Sequence, residues 1–209
     1  MKHKTIVLDL DDTLISTHYR QFCCIENYLA LKKIDFISYE KYYHIRHHQN
    51  LSNSELLKIC NVNIDMNDFK QYYLANIESP EYLAFDSVIV EKEYLKRLKD
   101  KSIHLILLSL RNNEANSKEQ LRLLGIFQYF DEVHFVKHNA LNNSKVDILK
   151  QLQKENNIFA FCGDSESDHK AALLAGIDFI QVKTSLYSLP DFADAAMFSD
   201  INEYFLSFV

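Results

Sequence analysis

The chain has 209 residues, 47% of them hydrophobic, which is enough apolar material for one or two buried cores. A formal net charge of −6, with no block of clustered Lys and Arg, argues against a nucleic-acid-binding surface. No stretch approaches the roughly 18 apolar residues of a membrane span, and the run after the basic start Met1-Lys2-His3-Lys4 is cut by Asp9 before it could serve as a secretory h-region. The four cysteines (Cys23, Cys24, Cys60 and Cys162) lack C-x-x-C spacing and read as reduced thiols, so a cytoplasmic protein is expected.

Residues 4–10 form a short, strand-like apolar run that ends in Asp9-Leu10-Asp11-Asp12-Thr13. An unpaired buried carboxylate costs several kcal/mol, roughly, so such a cluster belongs at the strand's open carboxyl end. Strand alternation sends Asp9 and Asp11 to the same side and Asp12 to the other. Like charges this close need a shared proton or a cation, and Mg²⁺ prefers oxygen ligands. Asp12 is expected to face solvent or cap a turn.

From about residue 17 to 85 there is no convincing strand, only helical pattern rich in aromatics: Tyr19, Phe22, Tyr28, Tyr42, Tyr43, Phe69, Tyr72 and Tyr73. The stretch is long enough for about four short helices, with Asn53, Asn67 and Pro80 near their boundaries. Its aromatics are expected to form the insert's own core rather than a stacking platform. Within it, His44, His47 and His48 fall at i, i+3 and i+4 and share a helix side. That spacing can hold Zn²⁺, but no acidic or cysteine partner accompanies it, and a solvated or substrate-facing side is expected instead.

The second half alternates in texture. Helical patterns at 88–100, 114–124, 144–155 and 166–175 separate apolar runs at 103–109, 158–162 and 177–182, with a weaker run at 133–136. Gly125 and Gly176 suit left-handed helix ends. The alternation predicts an α/β fold: a Rossmann-like open parallel sheet with helices on both faces, plus an inserted all-helical cap domain. The predicted boundaries are 1–16 and 86–209 for the core and 17–85 for the insert.

Ser109 ends the run at 103–109, Lys145 opens the helix at 144–155, and Gly163-Asp164-Ser165-Glu166-Ser167-Asp168 follows the run at 158–162. In an open parallel sheet such strand ends converge on one crevice. Carboxylates, a hydroxyl and an ammonium together are what phosphoryl transfer requires. The three glycines form neither G-x-x-x-x-G-K nor G-x-G-x-x-G, which removes a P-loop or dinucleotide site.

D-x-D-x-T at the first strand, Ser after the second, a lone Lys and G-D-x-x-x-D after a later strand resemble the haloacid dehalogenase-like superfamily, phosphatase type, with a helical cap between the first two motifs. The resemblance implies that Asp9 is the nucleophile that forms an aspartyl-phosphate and that Asp11 is the general acid, then base. It implies that Thr13 orients the first loop and that Thr13, Ser109, the Leu110 backbone and Lys145 bind the substrate phosphate. Asp9, Asp164 and the Asp11 backbone carbonyl would ligate Mg²⁺, and Asp168 would hold a metal-bound water. Lys137 lies close to Lys145 as a rival for the lysine role.

The chain departs from the family pattern at Leu110, where Asn is frequent and only a backbone N–H remains, and in lacking a Lys-Pro pair. Arg111 is expected to sit in solvent. The implied activity is hydrolysis of a small phosphorylated metabolite, with no nucleic-acid or membrane partner. A phosphomutase, a phosphonate hydrolase or a non-catalytic phosphate-binding protein are the alternatives on the same scaffold.

Overall fold

The computed structural model describes residues 2–137 and 144–208, which divide into two compact units. One comprises residues 1–16, 88–185 and 189–209, the other residues 17–87 and 186–188.

In chain order the elements begin with β1 (His3–Leu8), β2 (Ile15–Ser16) and five helices, α1 (His18–Leu31), α2 (Tyr39–Gln49), α3 (Asn53–Ile59), α4 (Met66–Asn76) and α5 (Pro80–Leu83). They continue with β3 (Ser87–Val88), α6 (Lys92–Asp100), β4 (His104–Leu110), α7 (Glu114–Leu123), β5 (Glu132–Val136) and α8 (Ser144–Glu155). The chain closes with β6 (Asn156–Gly163), α9 (Glu166–Ala175), β7 (Phe179–Val182), β8 (Ala196–Phe198) and α10 (Ile201–Leu206).

The first unit is built on a six-stranded sheet of order β5-β4-β1-β6-β7-β8, parallel throughout. Alternation along β1 divides its side chains between two cores. Ile6 and Leu8 pack with Leu95, Leu98, Leu121 and Phe205 from α6, α7 and α10. Val7 packs with Leu149, Leu152, Ala171 and Ala172 from α8 and α9. Helices therefore cover both faces, and the near-continuous apolar strands follow from that double burial.

All five predicted strands are present; β2 and β3, also unpredicted, pair as a separate two-stranded sheet, and β8 is an addition to the main sheet. It is three residues long and largely exposed, with too little apolar pattern to be read from sequence. The helix predicted at 88–100 starts only at Lys92, because Val88 lies in β3 and the Ile89 and Val90 N–H groups donate to the Leu14 carbonyl at 2.9 and 3.1 Å.

Strand order runs outward from β1 in both directions, so the crevice of such a sheet opens at the carboxyl ends of β1 and β6. Register aligns Leu8 of β1 with both Leu107 of β4 and Cys162 of β6. The residues that follow, among them Asp9, Ser109 and Asp164, emerge at that same end.

The second unit is helical because its boundaries are well capped. The Ser38 hydroxyl accepts from the Lys41 N–H, Ser52 and Glu55 form a capping box, Asp65 accepts from the Asn67 and Asp68 N–H groups, and Pro80 opens α5. Phe22, Tyr28, Tyr42, Phe69 and Tyr82 pack with Ile25, Leu29, Leu56 and Leu57 as a separate core, with Tyr72 and Tyr73 against it. Tyr19 and Tyr43 stay exposed.

Leu186 lies in this core although it is distant in sequence. The Ser188 N–H donates to the His47 carbonyl at 3.0 Å, and the buried Arg46 guanidinium donates to Asn53 Oδ1 at 2.8 Å and to the Tyr187 hydroxyl. A second buried cation, Arg20, pairs with Asp86 at 3.2 Å. The four thiols are free, and among the described residues no helix is long and apolar enough to cross a membrane.

Candidate active site

Asp9 directly follows β1, with its N–H donated to the Cys162 carbonyl of β6 at 2.9 Å, so the strand pairing fixes its backbone. The turn beyond it is tight: the Asp12 N–H reaches the Ile15 carbonyl at 2.7 Å, and Asp12 adopts φ 55°. That left-handed conformation is tolerated by Asp better than by branched residues. Asp12 is buried within this turn rather than facing solvent, and its carbonyl accepts from the Thr184 hydroxyl.

Lys145 is 2% exposed and comes from the first turn of α8. Its Nζ donates to Asp9 Oδ1 and to Asp168 Oδ1, each at 2.5 Å. Lys137 is exposed, so it is Lys145 that reaches Asp9. Asp168 sits on α9 and also accepts from the Ser165 hydroxyl at 2.5 Å, while Ser165 caps the helix by accepting the Asp168 N–H. Gly163 ends β6 because Asp168 packs on it: a Cβ there would meet Asp168 Cβ at 2.7 Å. The Thr13 hydroxyl donates to Asp164 Oδ1 at 3.4 Å and so ties the first loop to the last motif. Ser109 is buried at the end of β4, next to the half-buried Leu110.

The electrostatics are dominated by burial. Desolvation pushes Asp9 up to about 7 against the pull of Lys145, with Asp168 and Asp11 adding to the rise. Asp164 is held well above the usual carboxylate range by burial and by the charges of Asp12, Asp168 and Asp9. Burial opposes the charge on Lys145, but Asp168 and Asp9 more than compensate and hold it above its ordinary value.

Asp9 and Asp168 thus share the buried Lys145 ammonium, and the buried carboxyls of Asp164 and Asp12 lie close to one another beside them. One ligand atom from each of Asp9, Asp164 and Asp168 lies within 4.8 Å of the others, the one such acidic, His or Cys grouping among the described residues. An excess of hard oxygen ligands with this charge fits Mg²⁺. No grouping of this kind includes His44, His47 or His48.

Arg111 departs from expectation. It is buried rather than solvated, and it grips Asp11 through two bonds, Nε to Oδ2 at 2.9 Å and Nη2 to Oδ1. Its place two residues after Ser109 was the one sequence signal available, and nothing there distinguishes it from a surface arginine.

The profile of haloacid dehalogenase-like hydrolases matches residues 6–182. No curated protein sequence matches the chain. Among solved structures, a predicted phosphatase from Clostridium acetobutylicum aligns with TM-score 0.72 and 17% identity over 100% of this chain and 99% of its own. A predicted phosphoglycolate phosphatase from Haemophilus somnus 129pt gives 0.72 and 18% over 100% and 99%. Protein tyrosine kinase A of Mycobacterium tuberculosis gives 0.74 and 20% over 99% and 98%. At these identities the likeness establishes the fold, and the different activities named on it leave function to the site.

Proposed function

The chain belongs to the haloacid dehalogenase-like hydrolase family, and on that premise we propose that it hydrolyses a small-molecule phosphate monoester through an aspartyl-phosphate on Asp9. The observation that carries this reading is Asp9 itself: a carboxylate at a strand end with Lys145 on one oxygen and Asp164 within ligand reach.

Asp9 attacks phosphorus, the bond to the leaving oxygen breaks with its electron pair, and the proton of the Asp11 carboxyl passes to that oxygen. Asp11, now ionised, takes a proton from water as the water oxygen attacks phosphorus, and the Asp9–phosphorus bond breaks to restore the carboxylate. Lys145 neutralises Asp9 and offers donors to the phosphate, as do the Ser109 hydroxyl and the Leu110 backbone, while Thr13 orders the loop. Asp9, Asp164 and the Asp11 carbonyl would hold Mg²⁺, which when bound offsets charge on the phosphate oxygens; Asp168 steadies Lys145 and would hold a metal-bound water. Residues 17–85 act as a cap domain that selects the ester, on a core of residues 1–16 and 86–209.

The deciding experiment is a panel of small phosphate esters with Mg²⁺, followed by structure determination with a phosphate-mimicking fluoride complex. Phosphate release that disappears with EDTA, and the mimic seated on Asp9, are expected. Full activity without metal, or the mimic on Asp12 or Ser109, sinks the reading.

A further inference from the structure

Arg111 and Asp11 are 100 positions apart, and the ion pair joining them is asymmetric in exposure: the Arg111 side chain is 1% exposed, the Asp11 side chain 30%. The Arg111 backbone is itself tied down, its N–H donated to the Val136 carbonyl of β5 at 3.1 Å. A guanidinium bonded through two nitrogens fixes the plane and the rotation of a carboxylate, which a single ammonium contact does not. Both Asp11 oxygens accept from the fork, and the adjacent positive charge favours the ionised form, so the proton that Asp11 gives to a leaving oxygen is the one taken from water in the preceding turnover. The guanidinium lies in the interior while the carboxylate is part exposed.

Resting on the hydrolysis proposed above, we infer that Arg111 is a positioning residue for Asp11. It seats the carboxyl that gives a proton to the leaving oxygen and later takes one from water, and it does not itself bind the phosphate. Proton transfer demands heavy-atom distances of about 2.6–3.2 Å, and a part-exposed Asp on a tight turn has other rotamers available. The fork removes them. This device is independent of Lys145, which acts on Asp9 and Asp168.

The consequence is selective. An alkyl ester expels a strongly basic alkoxide and needs the proton; an aryl ester expels a weakly basic phenolate and needs it far less. The test measures kcat and KM for p-nitrophenyl phosphate and for a primary alkyl phosphate, with Mg²⁺, in wild type, Arg111→Met, Arg111→Lys and Asp11→Asn. In Arg111→Met the loss of kcat/KM, which reports the ester-dependent transfer to Asp9 and not the hydrolysis common to both esters, should be about tenfold greater on the alkyl ester than on the aryl ester. Competitive inhibition by inorganic phosphate should stay within about twofold. Lysine keeps the charge but not the fork, so Arg111→Lys should move the ratio the same way, and it carries the test if the methionine variant melts early. In an Asp11→Asn background, Arg111→Met should leave the alkyl/aryl ratio unchanged, because the two residues act as one unit.

Equal losses on both esters, a wild-type ratio in Arg111→Lys, or an extra shift in the Asp11→Asn background overturns the inference. Weakened inhibition by phosphate does so too, and makes Arg111 a phosphate ligand. Wild-type protein that turns over neither ester removes the proposed hydrolysis and this inference with it; wild-type turnover with an unchanged ratio in the variants removes only the inference.

Discussion

The α/β unit and the helical unit bury polar groups for different ends. In the first, buried carboxylates outnumber cations around Asp9, Asp164 and Lys145, and burial drives Asp9 and Asp164 upward. In the second, the buried cations meet partners from their own unit, Arg20 an ion pair with Asp86 and Arg46 the side chains of Asn53, Gln21 and Tyr187. A cluster of buried carboxyls whose ionisation is disfavoured by burial and by one another is where a cation or ligand gains most by binding. The acidic excess lies in the α/β unit, where the function proposed above puts the reacting groups.

Substitutions in the two units should separate along that line, and the largest effect belongs to the nucleophile. Asp9→Asn should lower phosphatase activity by about 10⁴-fold or more. It should not lower the melting temperature of metal-free protein, because burial, with Asp168 and Asp11, disfavours the Asp9 charge more than Lys145 favours it. A large loss of stability with activity retained would erase the contrast.

Next in size is Leu186→Ala in the helical unit. This side chain is fully buried, and its truncation should cost about 2–5 kcal/mol, read as a fall in Tm or in the urea midpoint. Activity of the folded fraction on a given ester should persist. A neutral effect on stability would mean that residues 186–188 are not part of that core.

A third test uses pH. The folded values of Asp9 and Asp164 are raised above those of the unfolded chain. Their contribution to stability is therefore fully present below the unfolded value, near 3.9, and is lost as pH rises through about 7 for Asp9. Metal binds the deprotonated carboxylates. Mg²⁺ should accordingly raise the melting temperature more at about pH 8 than at about pH 6, by a few degrees. Thermal melts in EDTA and in Mg²⁺ at both values decide it; a larger metal shift at the lower pH contradicts the assignment of the acidic cluster.

The smallest expected effect concerns α2. His44 and His48 are exposed and lie 4.5 Å apart between ring centroids, whereas His47 stacks on Tyr43 and approaches the Leu186 carbonyl at 3.3 Å. His44→Ala and His48→Ala should reorder the preferred esters by less than about tenfold and leave Mg²⁺ dependence intact. An unchanged ranking in both variants makes this side of α2 a solvated surface with no part in selection.

The sheet was legible because each central strand is a short apolar run, and the site because polar motifs stand where those runs end. Lys145 is the expected lysine, but Lys137, just after β5, is a rival in sequence because a lysine before or at a helix start carries no pattern of its own. Burial and the bonds from Lys145 to Asp9 and Asp168 distinguish them. β8 escaped because a three-residue, largely exposed edge strand has no period to read.

By itself, then, the sequence determined the α/β alternation, the helical character of residues 17–85 and the positions of Asp9, Asp11 and Asp164 just beyond strand ends, with Asp168 at the start of the next helix. These are consequences of local pattern: period, caps and the cost of burying a carboxylate. Only the tertiary structure decided that Arg111 grips Asp11, that Lys145 is shared between Asp9 and Asp168, that Asp168 packs where Gly163 has no side chain, and that Leu186 fills a core begun 160 residues earlier. Each of these is a pairing of single residues far apart in the chain. No repeat or spacing announces such a pairing, because its partner is chosen by the path of the backbone through space.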